Sequence, residues 1–305
     1  MGLRRQHALI IENPVAGKTG GQKSEIRHTV IRILSERSYH CTACVTRKHG
    51  DATDFVRRYA AGMDLIVCCG GDGTINEVVA GVLSANTATP ICYLPTGTTN
   101  DLARTLCLPF EQPFSETDAL ALLTEGVSQY LDAGLLNGVC FTYTAAFGAF
   151  SDVAYKTPQR MKNRLGYVAY WLYGLRNLFK LKPYRVAVGA DGQAFEGRFV
   201  YGCVSNSISI GGVLRLDSAQ VDLRDGRMEL LLIRYPQNSI KMARLLSDLA
   251  RGNYANEHVV LAHVERASFD FSGAVDWTVD GEFAGSYQSA EIEVKHAAYQ
   301  IYLCA

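Results

Sequence analysis

Residues 65–79, LIVCCGGDGTINEVV, constrain the fold of this chain more than any other stretch. The unbroken apolar run from Leu65 to Cys69 suits a strand buried on both faces. Asp-Gly between hydrophobic segments ordinarily marks a β-hairpin turn. Here, however, Ile75, Val78, Val79 and Val82 follow at helical spacing. The strand therefore runs through its glycines into a helix, and strand followed by helix is the unit of a parallel sheet.

The same alternation begins at the N-terminus. HALIIENP is a strand stopped by Asn13-Pro14, and KSEIRHTVIRILSER places Ile26, Val30, Ile33 and Leu34 on one helix face. YHCTACVT is a second strand, after which Asp51 stands as the N-cap of the helix ATDFVRRYAAG. PICYLP and NDLARTL repeat strand and helix, so residues 1–128 are predicted to form an α/β domain with a parallel sheet covered on both faces. From about residue 129 the pattern changes to short strands joined by Gly, Asn and Asp turns, as in YRVAVGADGQAFEGRFVYGCVSN and VDWTVDGEFAG. Residues 129–305 are expected to form an antiparallel β-domain, with helices near 158–180 and 237–251 and a cleft against the first domain. The last segment has the option of packing back on the first domain.

A length of 305 residues fits two domains rather than one large core. Lys plus Arg and Asp plus Glu number 30 each, which excludes a global field for nucleic acid; affinity for an anionic surface needs a local patch. Nine cysteines, several inside apolar runs, read as small buried hydrophobes in a reducing cytosol. Cys41 and Cys44 form the one C-x-x-C and lack the second pair a zinc site needs. With no run of 18 apolar residues and no signal-peptide pattern, the expectation is a cytoplasmic protein, at most peripheral to a membrane.

Gly70, Gly71 and Gly73 lie where a buried parallel strand opens into a helix, the place where open α/β sheets bind ligands. Glycines there let backbone N–H groups approach phosphate oxygens, and the helix N-terminus favours negative charge. A plain strand–helix turn remains open as a reading, but it does not explain Asp72, which suits Mg²⁺ or its waters beside a nucleotide. No G-K-[ST] follows, so the loop is not a Walker A sequence. IENPVAGK (11–18) and LPTGTTNDLAR (94–104) occupy equivalent positions after the first and fourth strands.

The order N-P-x-x-G-[KR], G-G-D-G-T-x-N-E, L-P-x-G-T-x-N-D resembles the diacylglycerol kinase catalytic domain family, which includes bacterial YegS-type and diacylglycerol kinase-type lipid kinases and sphingosine kinases. The resemblance spans nearly the whole chain. It implies a Rossmann-like, phosphofructokinase/NAD-kinase-like first domain, a β-sandwich second domain and an active site in the interdomain cleft. It also implies ATP as donor, Mg²⁺, and a lipid hydroxyl as acceptor, with diacylglycerol converted to phosphatidic acid.

Carried onto this chain, Asn13, Gly70, Gly71, Asp72, Gly73, Thr74, Asn76 and Glu77 would bind the nucleotide, as would Thr46, Gly97, Thr98 and Asn100. Asp101 would join the carboxylates around magnesium. Asp51 is preferred as a helix cap and His49 as a surface residue. On sequence alone Asp280-Gly281 is a hairpin turn and Glu282 a surface carboxylate; the resemblance instead makes Glu282 the catalytic base, with Asp72 as its metal-linked partner.

VDLRDGRMELLLI (221–233) matches a family metal loop, in which Asp225 would coordinate Mg²⁺ by its side chain while Asp222 and Arg227 offer backbone oxygens. The preceding residues depart from the family pattern, with Val213 in the glycine run and no proline. Asp132, in YLDAG, is either part of a network between domains or a turn residue.

The segment 156–185 carries eight Lys or Arg, no acid and a crowd of aromatics, which suits either an anionic bilayer surface or packing on the β-domain. A homodimer is open. Rival readings are a kinase for another lipid (a sphingoid base, monoacylglycerol or a phosphatidylglycerol-type headgroup) and a non-catalytic regulator that binds nucleotide or lipid. NAD kinase fits LPTGTTND poorly.

Overall fold

The computed structural model describes residues 5–16, 22–106, 108, 116–148, 183–207, 209–210, 214–215 and 221–304. Val213, the helix expected near 158–180 and all but the last three residues of the basic segment lie outside this set. The chain divides into two compact units, residues 1–133 with 297–305, and residues 134–296. Strand β15, Glu282–Leu303, contributes to both.

In the first unit, β1 (Gln6–Glu12) pairs in parallel with β2 (Tyr39–Val45) and β3 (Leu65–Gly70), and β3 with β4 (Ile91–Pro95). The end of β15 adds a further parallel neighbour to β4, through Ile301 opposite Ile91. All residues of β3 and β4 are buried, as an apolar run in a parallel sheet requires. Helix α1 (Gln22–Glu36) buries Val30, Ile33 and Leu34 in one core cluster, with Ile26 packed at its margin. Helix α2 spans Asp51–Tyr59.

Helix α3 spans Asp72–Ala85 and buries Ile75, Val78, Val79 and Val82, the face expected from their spacing. It starts three residues earlier than the apolar pattern implied, so Asp72 and Gly73 belong to its first turn. Helix α4 is Asp101–Thr105. A fifth helix, α5 (Glu116–Glu125), was not anticipated; its Ala119, Leu122 and Leu123 pack in the α1 cluster. Cys68, Cys69 and Cys92 are core residues, and burial pushes the Cys69 thiol up to about 12, so they are inert hydrophobes.

Strand β5 (Val127–Leu136) carries Asp132, which is fully buried and accepts the N–H of Ala297 at 2.7 Å. The turn reading of Asp132 is thereby corrected: the residue lies inside a strand, and its carboxylate serves a backbone amide beside an alanine in the left-handed region (φ 48°).

The second unit is antiparallel throughout its described ladders. Its strands are β6 (Val139–Phe141), β7 (Thr144–Gly148), β8 (Tyr184–Ala190), β9 (Gln193–Ser205), the short β10 (Ser209–Ile210) and β11 (Leu214–Arg215), β12 (Met228–Arg234), β13 (Val259–Val264), β14 (Arg266–Val279) and the first part of β15. Both β9 and β14 pair along one half with β8 and along the other with β7, wrapping the sheet around a single core. Phe147, Phe269, Phe271 and Trp277 fill it with tilted and edge-on ring contacts, Phe147 and Trp277 lying 5.0 Å apart. The opposite face of β9 and β12 is covered by α6 (Ser239–Ala250), whose Met242, Leu245 and Leu249 pack on Cys203, Leu231 and Ile233. Among the described residues no helix is long and apolar enough to cross a membrane.

Candidate active site

Because β1, β2, β3 and β4 run parallel, the loops after them leave the sheet at one edge, and hydrogen bonds tie those loops together. Asn13 N–H donates to the Cys69 carbonyl at 2.9 Å, and its side-chain amide donates to Thr74 Oγ1 at 3.0 Å. Thr46 N–H reaches the Glu12 carbonyl at 2.9 Å, and Thr96 N–H reaches the Gly70 carbonyl at 2.8 Å. A small open depression is lined by Glu12, Asn13, Ile26, Cys69 and Thr96. Buried Glu12, which carried no signal in the sequence, is held there by Arg27 at 2.8 Å.

The glycines are spaced by contact rather than by turn geometry. A Cβ on Gly70 would lie 2.4 Å from the Thr74 Cβ, and one on Gly97 would lie 2.6 Å from both Asn100 Oδ1 and the Gly71 Cα. Two loop backbones therefore touch where the third and fourth strands end. Asn100 holds the second loop: its Oδ1 accepts the Gly97 N–H at 3.1 Å and its Nδ2 donates to the Gly97 carbonyl at 3.0 Å. Its left-handed backbone (φ 51°) is one that asparagine tolerates. Gly97→Ala should cost about 1–3 kcal/mol, because the obstructing Gly71 backbone cannot swing aside. Urea denaturation checks this, and a loss below the detection of the assay would contradict it.

Asp72 and Asp101 are the first residues of α3 and α4, where negative charge is favoured by the helix ends. Asp72 Oδ1 accepts the N–H of Leu102 at 3.2 Å, so the two carboxylate-bearing turns are neighbours. Gly73 and Asn76 are half-buried and Thr98 is exposed.

Glu77 is engaged structurally. Its two oxygens accept Gly50 N–H at 2.8 Å and Ala52 N–H at 3.0 Å, fastening α3 to the start of α2, and exposed His49 stands 3.0 Å from it. The cap assigned to Asp51 is corrected: Gly50 is the N-cap, and Asp51 opens the helix. The Asp51 carboxylate turns back to accept Arg47 N–H at 2.8 Å and Lys48 N–H at 3.2 Å, bonds that hold it below the usual carboxylate range. Glu77 and Asp51 together shape the loop that follows Thr46.

In the second unit, Asp280 and Gly281 both have positive φ (48° and 81°), so they form a two-residue hairpin turn with Glu282 opposite Val279. Glu282 is exposed. Asp280 is buried, and its carboxylate accepts Thr142 N–H at 2.7 Å, Thr142 Oγ1–H at 2.8 Å, and the N–H groups of Tyr143 and Thr144 at 3.0 Å each. Burial raises the pKa of this carboxyl, and the four hydrogen bonds oppose that rise. Sequence reasoning assigned Asp280 to the turn alone and missed this anchor, whose partners lie some 137 positions away.

The 221–227 loop is built by local bonds: Asp222 Oδ1 accepts Arg224 N–H at 3.1 Å, and Asp225 Oδ1 accepts Arg227 N–H at 2.9 Å. The Arg227 guanidinium pairs with Glu265 at 3.1 Å. Among the described residues no group of three or more His, Cys, Asp or Glu gathers as a metal centre.

Residues 7–136 match the diacylglycerol kinase catalytic domain, and residues 146–302 the YegS C-terminal NAD kinase beta sandwich-like domain. A Bacillus subtilis (strain 168) diacylglycerol kinase is 32% identical over 92% of this chain and 91% of its own length. A Staphylococcus aureus (strain bovine RF122 / ET3-1) diacylglycerol kinase is 30% identical over 92% of this chain and 87% of its own. The crystal structure of a Bacillus anthracis str. Sterne diacylglycerol kinase shares the fold, with a TM-score of 0.72 at 20% identity over 97% of this chain and 96% of that one. The two-unit architecture matches the two family domains and the fold of that crystal structure. The chain belongs to the diacylglycerol kinase catalytic domain family, a family of lipid kinases.

Proposed function

We propose that this chain transfers the γ-phosphate of ATP to a lipid hydroxyl, with diacylglycerol as the acceptor to which the names of its relatives point. The observation that carries the reading is the junction of Asp72 and Asp101 at the edge where the glycine loops touch. Backbone brought that close suits a phosphate chain, and an all-oxygen donor set suits Mg²⁺, which takes carboxylates and keeps several waters. When bound, MgATP supplies the phosphoryl group and neutralises part of its charge.

The chain's own residues bind, orient and move a proton. Gly70, Gly71, Gly73 and Thr74, with Asn13, Gly97, Thr98 and Asn100, form the phosphate cradle, while Thr46 and Asn76 line the nucleotide. Glu77 acts on the nucleotide through the 46–52 loop it fastens. Asp72 and Asp101 hold the metal side, and Glu282 takes the acceptor hydroxyl's proton. A second, structural Mg²⁺ would be held in the 221–227 loop by the Asp225 side chain, with Asp222 and Arg227 offering backbone oxygens. The basic segment 156–185 brings the enzyme to an anionic membrane face.

Asp72→Asn should lower lipid-dependent ATP turnover by about 10²–10³-fold, as loss of one positioned charge stabiliser does. The assay is ATP consumption with and without lipid vesicles. Binding of ATP without turnover in the wild type would favour the silent regulator instead.

A further inference from the structure

Glu12 ends β1 at the edge where the loops leave the sheet, and it is only 6% exposed, an uncommon place for a charge. Successive side chains of a strand face opposite ways. Asn13 sends its amide to Thr74 in the first turn of α3, whereas Glu12 reaches the α1 side, where Arg27 Nη1 donates to its Oε2 at 2.8 Å. Among the described residues that is the carboxylate's one hydrogen bond. Its other oxygen is an acceptor without a donor, on a residue that lines the small depression with Asn13, Ile26, Cys69 and Thr96.

Packing does not account for a glutamate here. Ile10, two residues earlier on β1, sits in an apolar cluster that also holds Cys69, and an aliphatic side chain at position 12 would extend it. A buried carboxylate is costly, and one bond from a partly exposed arginine answers it only in part. The depression also shares its walls with the glycine loops. Asn13 bonds Thr74, and Thr96, which precedes Gly97, donates its N–H to the Gly70 carbonyl at 2.8 Å. Thr46 N–H on the Glu12 carbonyl brings the loop after β2 to the same place.

We propose that Glu12, held by Arg27, accepts a hydrogen bond from a ribose hydroxyl of the nucleotide and so selects ribonucleotides as donors. The inference deepens the ATP-dependent reading and rests on it. With the phosphates on Gly70, Gly71 and Gly97, the group next along the nucleotide is the sugar, and the depression is next along the loops. A carboxylate repels phosphate and takes a hydroxyl, which brings the donor that Glu12 lacks. The space suits a hydroxyl rather than a base ring. In dinucleotide-binding α/β sheets a carboxylate serves the ribose in the same way.

The test is calorimetric binding of MgATP, Mg-2′-deoxyATP and Mg-3′-deoxyATP, without lipid, to the wild-type 305-residue chain, Glu12→Gln and Glu12→Met. The wild type should bind ATP about tenfold more tightly than the analogue that lacks the recognised hydroxyl, the loss expected when a charged acceptor is left unanswered. Glu12→Gln keeps the shape and an oxygen for Arg27 but gives up the charge, and Glu12→Met gives up both. Each should bring ATP and that analogue to within about threefold of one another, chiefly by weakening ATP. A Glu12 that serves only the ion pair would change the melting temperature of the variants and leave the preference intact. Equal binding of the three nucleotides by the wild type, or a preference that survives in either variant, overturns the assignment while the kinase reading stands. Failure of the wild type to bind MgATP at all would instead overturn the ATP-dependent reading, and the assignment with it.

Discussion

Glu282→Gln should lower lipid phosphorylation by about 10²–10⁴-fold, the range expected when a general base is removed. The substitution keeps length and shape but removes the site that accepts the hydroxyl proton. Its fold should survive, because Glu282 is exposed and its backbone is placed by the Asp280–Gly281 turn and the pairing with Val279. The loss should therefore fall on kcat, with the KM for ATP little changed and the melting temperature within a degree or two. Purified Glu282→Gln with near-normal kcat would remove the glutamate from the mechanism.

Asp280→Ala should be the most destabilising substitution at the hairpin, at about 3–5 kcal/mol. It would strand three backbone N–H groups and the Thr142 hydroxyl, all buried in the native protein. It would also place alanine at φ 48°, a conformation that Asp and Asn adopt at less cost than alanine. Asp280→Asn keeps the backbone conformation and one accepting oxygen, so it should lose about half as much. Chemical denaturation separates the two, and a cost below about 1 kcal/mol for the alanine variant would contradict the anchoring role. Because Glu282 follows two residues later, loss of the anchor should also reduce turnover in whatever protein remains folded.

The sequence was most readable where a local pattern coincides with burial. LIVCC and the Ile75–Val82 spacing identified β3 and α3 because a strand covered on both faces and a helix with one apolar stripe each leave their own period. The Asp191–Gly192 and Asp280–Gly281 hairpins were legible because both positions of such turns need positive φ, which few residues adopt.

What escaped depends on partners remote in the chain. Asp132 looked as much like a turn residue as a network member, since its bond is to an amide 165 positions on. Glu77 was read through the family as a nucleotide ligand, while the structure shows its carboxylate bridging to α2. Asp51 resembled an N-cap because acidic residues are common there, yet its carboxylate folds the preceding loop. Helix α5 was missed, and what the structure adds is its Ala119, Leu122 and Leu123 packed in the same apolar cluster as α1. Glu12 could not be foreseen at all, because Arg27 and the depression it lines come together only in the fold.

The most direct measurement of the central assignment is to incubate the purified 305-residue chain with γ-labelled ATP, Mg²⁺ and vesicles containing diacylglycerol and total lipid extract, then separate the lipids. The expected result is label in a phosphorylated lipid, dependent on added lipid and lost in both Asp72→Asn and Glu282→Gln. Label that never enters a lipid, with ATP bound or hydrolysed regardless of vesicles, would contradict it.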